Sequence, residues 1–254
     1  MLSLIDWDKG TFKTDFFIIE EIFFMAEIID LSQEIYEGMP MHHSMAPVNI
    51  RVHATHEQWA KEINPQTHTP SALRLEMSEH TGTHVDGLNH MGKEFAAQTI
   101  DQMPLSMFYT EGICLDLTHK GLQELISVED IEQAVQIAGL SILQGDTVLL
   151  CTDHYRKYFG TDNWDKGPGL TVEATRWLGK QGISAFGVET MSPGIPKLTN
   201  QEVHQICGEM GFTHYENLIN LHLLIDRGRF RFIGLPLKIR GGTGSPVRAV
   251  AVFE

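Results

Sequence analysis

His80-Thr81-Gly82-Thr83-His84-Val85-Asp86-Gly87-Leu88-Asn89-His90 gathers three histidines and an aspartate in one short stretch. Whether it is helix or strand decides what the stretch can do and which kind of fold carries it. On a helix, His80 and His84 share a face and Asp86 turns away from it. In an extended chain, positions 80, 82, 84 and 86 all point to one side. That places His80, His84 and Asp86 together with Gly82 between them, where a residue without a side chain leaves room for an ion or for close backbone approach. Thr81, Thr83 and Val85 fill the other face, and β-branched residues suit a strand. The spacing therefore predicts a strand.

Imidazole nitrogen and carboxylate oxygen are the donors that a borderline or hard divalent ion selects. His80, His84 and Asp86 are candidate metal ligands, and His90 is a candidate base beside them. The helical His-Glu-x-x-His pattern is excluded, because Thr81 stands where its glutamate would be. A histidine-rich surface strand is the plain alternative, and thirteen histidines in the chain favour chance clusters. A ligand type at every second position, interrupted only by glycine, argues against it.

Working outward, Ile28–Ser32 and Val48–Thr55 read as strands, separated by a turn at Gly38-Met39-Pro40. Residues 58–70 read as a polar loop that could serve as a lid, and Leu73–Val85 as the strand region of the motif. Ser127-Val128-Glu129-Asp130 is a capping-like start to a helix with apolar positions at Ile131, Val135 and Ala138. A buried strand over Asp146–Thr152 follows, then a helix from Thr171, a strand over Ile183–Val188 and a helix over Asn200–Cys207. Tyr215–Ile219 and Phe230–Leu237 read as extended. Strands and helices interleave without a repeat or a linker, which predicts a single α/β domain.

A chain of 254 residues can bury a large core. A net charge of −14 argues against a nucleic-acid partner and against an anionic membrane surface. It is compatible with a cation site. No stretch is apolar for the length of a membrane span, and acidic residues interrupt the N-terminal stretch that a secretory signal would need. Cys114, Cys151 and Cys207 are few, odd in number and far apart, which fits a reducing cytoplasm rather than a disulfide framework. Cys114 and Cys151 sit in apolar strand-like runs and read as core, whereas Cys207, near His204, is a conceivable thiolate ligand.

The pattern His80-x-Gly82-Thr83-His84-x-Asp86 followed by His90 resembles the signature of the cyclase-like metal-dependent hydrolases, which include bacterial kynurenine formamidase, isatin hydrolase and a trans-dienelactone hydrolase. Two further elements carry the resemblance. One is His204 followed, twelve residues on, by Glu216 in Glu216-Asn217-Leu218-Ile219-Asn220-Leu221. The other is the run Leu235-Pro236-Leu237-Lys238 with Gly244-Ser245-Pro246-Val247-Arg248-Ala249-Val250. Together they span roughly 25–254, leaving residues 1–24 as an N-terminal extension or an arm for a neighbouring subunit. Two positions depart from the family pattern: Leu88 replaces a common proline, and Glu189 replaces an aspartate in Gly187-Val188-Glu189-Thr190-Met191-Ser192. Both spare the ligands and bear on the substrate.

The resemblance implies a swivelling β/β/α-type fold with a mixed sheet and flanking helices, usually as a homodimer. It implies metal ligands at His80, His84, Asp86, His204 and Glu216, and one or two ions of zinc or manganese. It implies a metal-dependent hydrolase in which metal-bound hydroxide attacks an amide, formamide or lactone carbonyl. Arylformamidase, acting on N-formylkynurenine, is the leading activity, and isatin-type cyclic amide opening and dienelactone opening are its rivals. The family's matching histidine makes His90 the catalytic acid/base, against the alternatives of a ligand or a partner holding Asp86. Thr83 could orient a ligand, and Phe95, Trp59 and Tyr155 are possible walls for an aromatic small-molecule substrate. Asp153 and His154, after a buried strand, could also face substrate. Gly241-Gly242-Thr243-Gly244-Ser245 lacks the lysine and the following helix of a phosphate loop and reads as a glycine turn.

Two other classes compete. A binding protein that keeps a metal for structure would usually bring several cysteines to the ion, and they are scarce near the motif. A redox enzyme with two histidines and one carboxylate would share the ligand types.

Overall fold

The computed structural model describes residues 26–62 and 68–254. The proposed extension over 1–24 lies outside them. The strands are β1 (Glu27–Asp30), β2 (Asn49–Ala54), β3 (Ala72–Glu76), β4 (His84–Asp86), β5 (Tyr109–Asp116), β6 (Leu125–Ile126), β7 (Thr147–Cys151), β8 (Gly169–Leu170), β9 (Ala185–Val188), β10 (Thr213–Glu216), β11 (Phe230–Ile233), β12 (Gly244–Pro246) and β13 (Val250–Phe253). The helices are α1 (His56–Glu62), α2 (Val128–Ala138), α3 (His154–Tyr158), α4 (Val172–Lys180) and α5 (Asn200–Met210).

Nine strands form one mixed sheet in the order β1-β13-β11-β5-β7-β9-β10-β4-β12. Its centre, β5-β7-β9-β10, is parallel. Antiparallel strands flank this block on both sides, with β4 running against β10 and β12 against β4. A parallel block buried on both faces needs continuous apolar runs. Residues Thr147–Cys151 supply one, and all five are buried. Alternation then splits the core. Ile113, Leu115, Val148, Leu150 and Phe186 pack under α2, α4 and α5. Cys114, Leu149, Cys151 and Tyr215 face the opposite layer with Phe108, Phe230 and Phe232. The α/β expectation with a mixed sheet is thus met.

Local signals account for the helix ends. Ser127 accepts from the Asp130 amide while the Asp130 carboxylate accepts from the Ser127 amide, a complete capping box for α2. Thr171 caps α4, and Gly211 ends α5 in the left-handed conformation. The glycine turn before β12 is present, with Gly241 at φ +72°.

Two expectations need correction. The motif is not one continuous strand. β3 ends at Glu76, and β4 begins only at His84. Gly82 between them has φ +60°, a left-handed bend that an extended chain cannot contain. The predicted polar loop over 58–70 instead begins inside α1, and residues 63–67 lie outside the description. The helix there is short and half-exposed, so its apolar periodicity is too brief to read.

Candidate metal centre and its cavity

The helix-side face of the sheet is apolar on β5, β7 and β9 and turns polar on β10 and β4. Register explains the change. Glu216 pairs with His84, and Tyr215 with Val85. Val85 and Tyr215 go to the opposite core, so His84, Asp86, His214 and Glu216 project toward α5. His204 comes down from that helix to meet them. Gly208, one turn further along α5, is what lets the helix approach: a β-carbon there would lie 2.3 Å from the Phe95 ring.

The donor atoms converge closely. His84 Nε2 is 3.4 Å from Asp86 Oδ1 and 3.5 Å from Glu216 Oε2. His204 Nε2 is 3.6 Å from Asp86 Oδ2 and 3.8 Å from Glu216 Oε1. His80, although outside the strand, still reaches the group, with Nδ1 2.8 Å from Asp86 Oδ1. Its Nε2 meets the Thr243 hydroxyl at 3.0 Å, and that hydroxyl also bonds Glu79. His90 follows β4 on a short 3₁₀ turn, Leu88–His90, with Nε2 3.8 Å from Asp86 Oδ2. The site residues expected from sequence therefore all lie together.

His214 joins them unannounced. Its Nε2 is 3.3 Å from both Asp86 Oδ2 and Glu216 Oε1, and its ring stacks on Phe186 with centroids 5.4 Å apart. A signal was present: two residues before Glu216 in an extended segment is the same face of the strand. Starting that segment at Tyr215 left the histidine out by one position.

Asp86 and Glu216 are both buried, and every ion-pair partner of either, among the described residues, is a histidine. Burial pushes the Asp86 carboxyl up, but His214, His204 and His80 outweigh it and hold the group well below the usual carboxylate range. Burial also opposes ionisation of Glu216, where His214 and His84 again win. The same carboxylates raise His84 and His214 against the burial that disfavours their protonation. Two buried carboxylates without a lysine or arginine call for positive charge from another source. Imidazole nitrogens and carboxylate oxygens a few ångströms apart fit a divalent metal ion.

A cavity of about 240 Å³ opens onto this cluster. His80, His84, Asp86, His90, His204 and Glu216 form its floor. Pro40, Met41, Met45 and Met191 give it apolar walls, and Gln33, His42, Ser44 and Asn200 add polar groups. The aromatic walls proposed from sequence are elsewhere. Phe95 packs on the helix-side core, and Tyr155 stacks on Phe159 and meets Trp164 edge-on. Trp59 is on α1 and does not line the cavity.

The remaining candidates have structural places. Thr83 donates its hydroxyl to the Asn217 carbonyl at 2.6 Å and accepts from the Gln33 amide at 2.8 Å, so it braces the chain behind the cluster. Asp153 and His154 do not line the cavity; the His154 amide donates to buried Glu189, and His154 Nε2 bonds the Trp164 carbonyl at 2.9 Å. Cys207 is buried beside His214, outside the donor groups, and burial pushes its thiol up.

A family model described as "Putative cyclase" matches residues 29–194. The kynurenine formamidase of Paracidovorax citrulli is 28% identical over 222 residues, covering 87% of this chain and 94% of that protein. Isatin hydrolase A from Ralstonia solanacearum is 25% identical with a TM-score of 0.78, covering 90% of this chain and 92% of that one. Isatin hydrolase A from Labrenzia aggregata, bound to benzyl benzoate, is 25% identical with a TM-score of 0.77, covering 89% and 93%.

Proposed function

The chain belongs to the cyclase family, and from that premise we propose that it is a metal-dependent hydrolase of an amide, formamide or lactone carbonyl. One observation carries the reading. Two buried carboxylates, with no lysine or arginine paired to them among the described residues, are ringed by imidazoles at the floor of an open cavity. In this reading His80, His84, Asp86, His204 and Glu216 are ligands to one or two divalent ions, zinc or manganese. Such an ion, when bound, supplies an acidic water near neutral pH and polarises the carbonyl oxygen of the substrate.

The chain's own residues do the rest. His90 is the most exposed imidazole of the cluster, its side chain 34% accessible at the cavity. It takes a proton from the attacking water and returns one to the departing nitrogen or oxygen. The methionine and proline walls admit a flat aromatic body, because thioethers pack well against ring edges. An aromatic formamide is therefore the leading substrate and N-formylkynurenine its first representative, in keeping with the formamidase relatives. Isatin is the second reading, favoured by the likeness to isatin hydrolases over nearly the whole chain. Dienelactone opening stands behind both, and a non-catalytic metal-stabilised protein behind that.

The unit that works is residues 25–254 in the swivelling β/β/α arrangement, as a homodimer, with residues 1–24 as an added segment. Cys114, Cys151 and Cys207 are buried thiols, in keeping with a cytoplasmic place. No helix among the described residues is long and apolar enough to cross a membrane.

Metal-stripped protein reloaded with zinc or manganese tests the activity, with N-formylkynurenine as substrate and kynurenine absorbance as the readout. Turnover restored by metal and lost in His84→Ala is the expected result. Silence with every metal would discard the formamidase and pass the question to isatin and to lactones.

A further inference from the structure

His214 is the one group of the cluster that neither the sequence motif nor the shuttle role of His90 accounts for. It sits at full burial on β10, and its Nδ1 has no hydrogen-bond partner. Cys207 lies beside the ring, and Nε2 faces two carboxylate oxygens at 3.3 Å each. The ring is thus packed on Phe186 while its Nε2 is directed at charge.

The oxygens of the two carboxylates divide between two pairs of histidines. Asp86 Oδ1 and Glu216 Oε2 face His84, and Asp86 Oδ1 also faces His80. Asp86 Oδ2 and Glu216 Oε1 face His204 and His214, and Asp86 Oδ2 also has His90 at its outer side, 3.8 Å away. The second set is four donor atoms, two nitrogens and two oxygens. The four nitrogen–oxygen separations measured among them are 3.3, 3.3, 3.6 and 3.8 Å. A tetrahedral ion with bonds of about 2.0–2.2 Å has ligand–ligand edges of roughly 3.3–3.6 Å. The set is therefore close to the size of a four-coordinate site.

We propose that His214 is a metal ligand, and that it makes the two halves of this centre unequal. Asp86 Oδ2, His204, His214 and Glu216 Oε1 form a closed position with four protein ligands, the kind that retains its ion. His80, His84 and the facing oxygens form an open position at the cavity floor, the kind that exchanges and receives substrate. The inference rests on the metal-hydrolase reading and adds a division of labour to it.

Metal counting separates the two ideas. Purified protein is loaded with zinc, challenged with a chelator, desalted and assayed for zinc per chain. The wild type and His84→Ala should each keep one ion through a challenge that removes the second. His214→Phe, which preserves an aromatic ring against Phe186, should keep none. Its affinity loss should exceed the roughly 10–100-fold that losing a supporting hydrogen bond costs. Cobalt(II) gives a readout that does not depend on the variant folding. At one equivalent, wild-type protein should show the intense visible bands of a four-coordinate ion. Weak bands of five- or six-coordinate cobalt, or a His214→Phe protein that keeps its ion, would overturn the role of His214 and leave the hydrolase intact. A wild type that binds no metal would sink the hydrolase reading itself.

Discussion

His84 Nδ1 lies 2.9 Å from the carbonyl oxygen of Gly82, two residues back along the chain. A carbonyl can only accept, so Nδ1 carries the proton and the lone pair of neutral His84 is left on Nε2, the atom that faces Asp86 and Glu216. His204 is set in the same way: its Nδ1 bonds the Asn200 carbonyl at 2.7 Å, one helical turn earlier on α5. The backbone thus selects the tautomer of two imidazoles on unrelated elements, and in both cases Nε2 aims inward. Supporting bonds of this type orient metal-binding histidines.

Gly82 is where this arrangement can be broken. Its φ of +60° directs its carbonyl to both His84 and the Asn217 amide group, 3.1 Å away. Open space is not the obstacle, since the nearest atoms to an added β-carbon are 3.5 Å off. The conformation is, and an alanine there costs about 1–2 kcal/mol. Gly82→Ala should lower stability to urea by that amount and weaken zinc retention as well. Unchanged zinc content in a destabilised protein would show that the carbonyl does not set the geometry of His84.

Gly208 governs the other side of the centre. A β-carbon there would meet Phe95 at 2.3 Å and Met91 at 2.8 Å, so Gly208→Ala forces α5 away from the turn that carries His90. Overpacking of this kind costs about 1–3 kcal/mol. His204 rides on α5, so metal affinity should fall together with stability. Pairing the variant with Phe95→Leu should recover part of both, the contact with the Met91 β-carbon remaining, and a double variant no better than the single one would refute the account for Phe95.

The sequence disclosed more of this centre than of the fold that builds it. His80, His84, Asp86 and His90 were legible because short-range alternation and ligand chemistry point the same way. The strand that justified grouping them was only half right: Gly82 bends the chain, and His80 reaches Asp86 from a turn. His204 and Glu216 are brought in by α5 and β10, and no local pattern states that pairing; only likeness to a family linked them. His214 had a local signal that a strand boundary two residues too late concealed. The apolar walls from Met41, Met45 and Met191 come from loops distant in sequence, where periodicity is silent.

Glu189, one of the two departures from the family pattern, has a place that predicts a pH response. Its Oε2 accepts from the Thr152 amide at 2.8 Å, the Thr152 hydroxyl at 3.2 Å and the His154 amide at 3.2 Å, tying the end of β7 to the start of α3. Oε1 is buried without a partner. Burial pushes this carboxyl up to about 7, against the Thr152 hydrogen bonds. The folded state therefore holds a proton that the unfolded chain releases near 4.5. Stability from this group is complete below that lower value and declines as pH rises toward 7. The total loss is about 3 kcal/mol. Glu189→Gln cannot ionise, so urea midpoints of the two proteins should diverge between those pH values, with the glutamine variant more stable at pH 8. Parallel curves would mean that Glu189 titrates normally.

His90 stands apart from its neighbours in exposure. Its side chain is 34% accessible, against 15% for His204, 7% for His80, 3% for His84 and none for His214. It is also the imidazole whose nearest carboxylate oxygen is furthest away, at 3.8 Å. A group in that position can touch substrate and exchange protons with solvent while contributing little to holding an ion. Removing general acid/base catalysis costs about 10²–10⁴ in rate. His90→Ala should therefore keep its full zinc content and lose turnover by that factor. A substrate whose leaving group needs no proton, such as an activated aryl ester, should be spared the part of the loss that comes from protonating the leaving group and keep the part that comes from deprotonating water. A parallel loss of zinc would make His90 a ligand, and unchanged turnover would remove it from proton transfer.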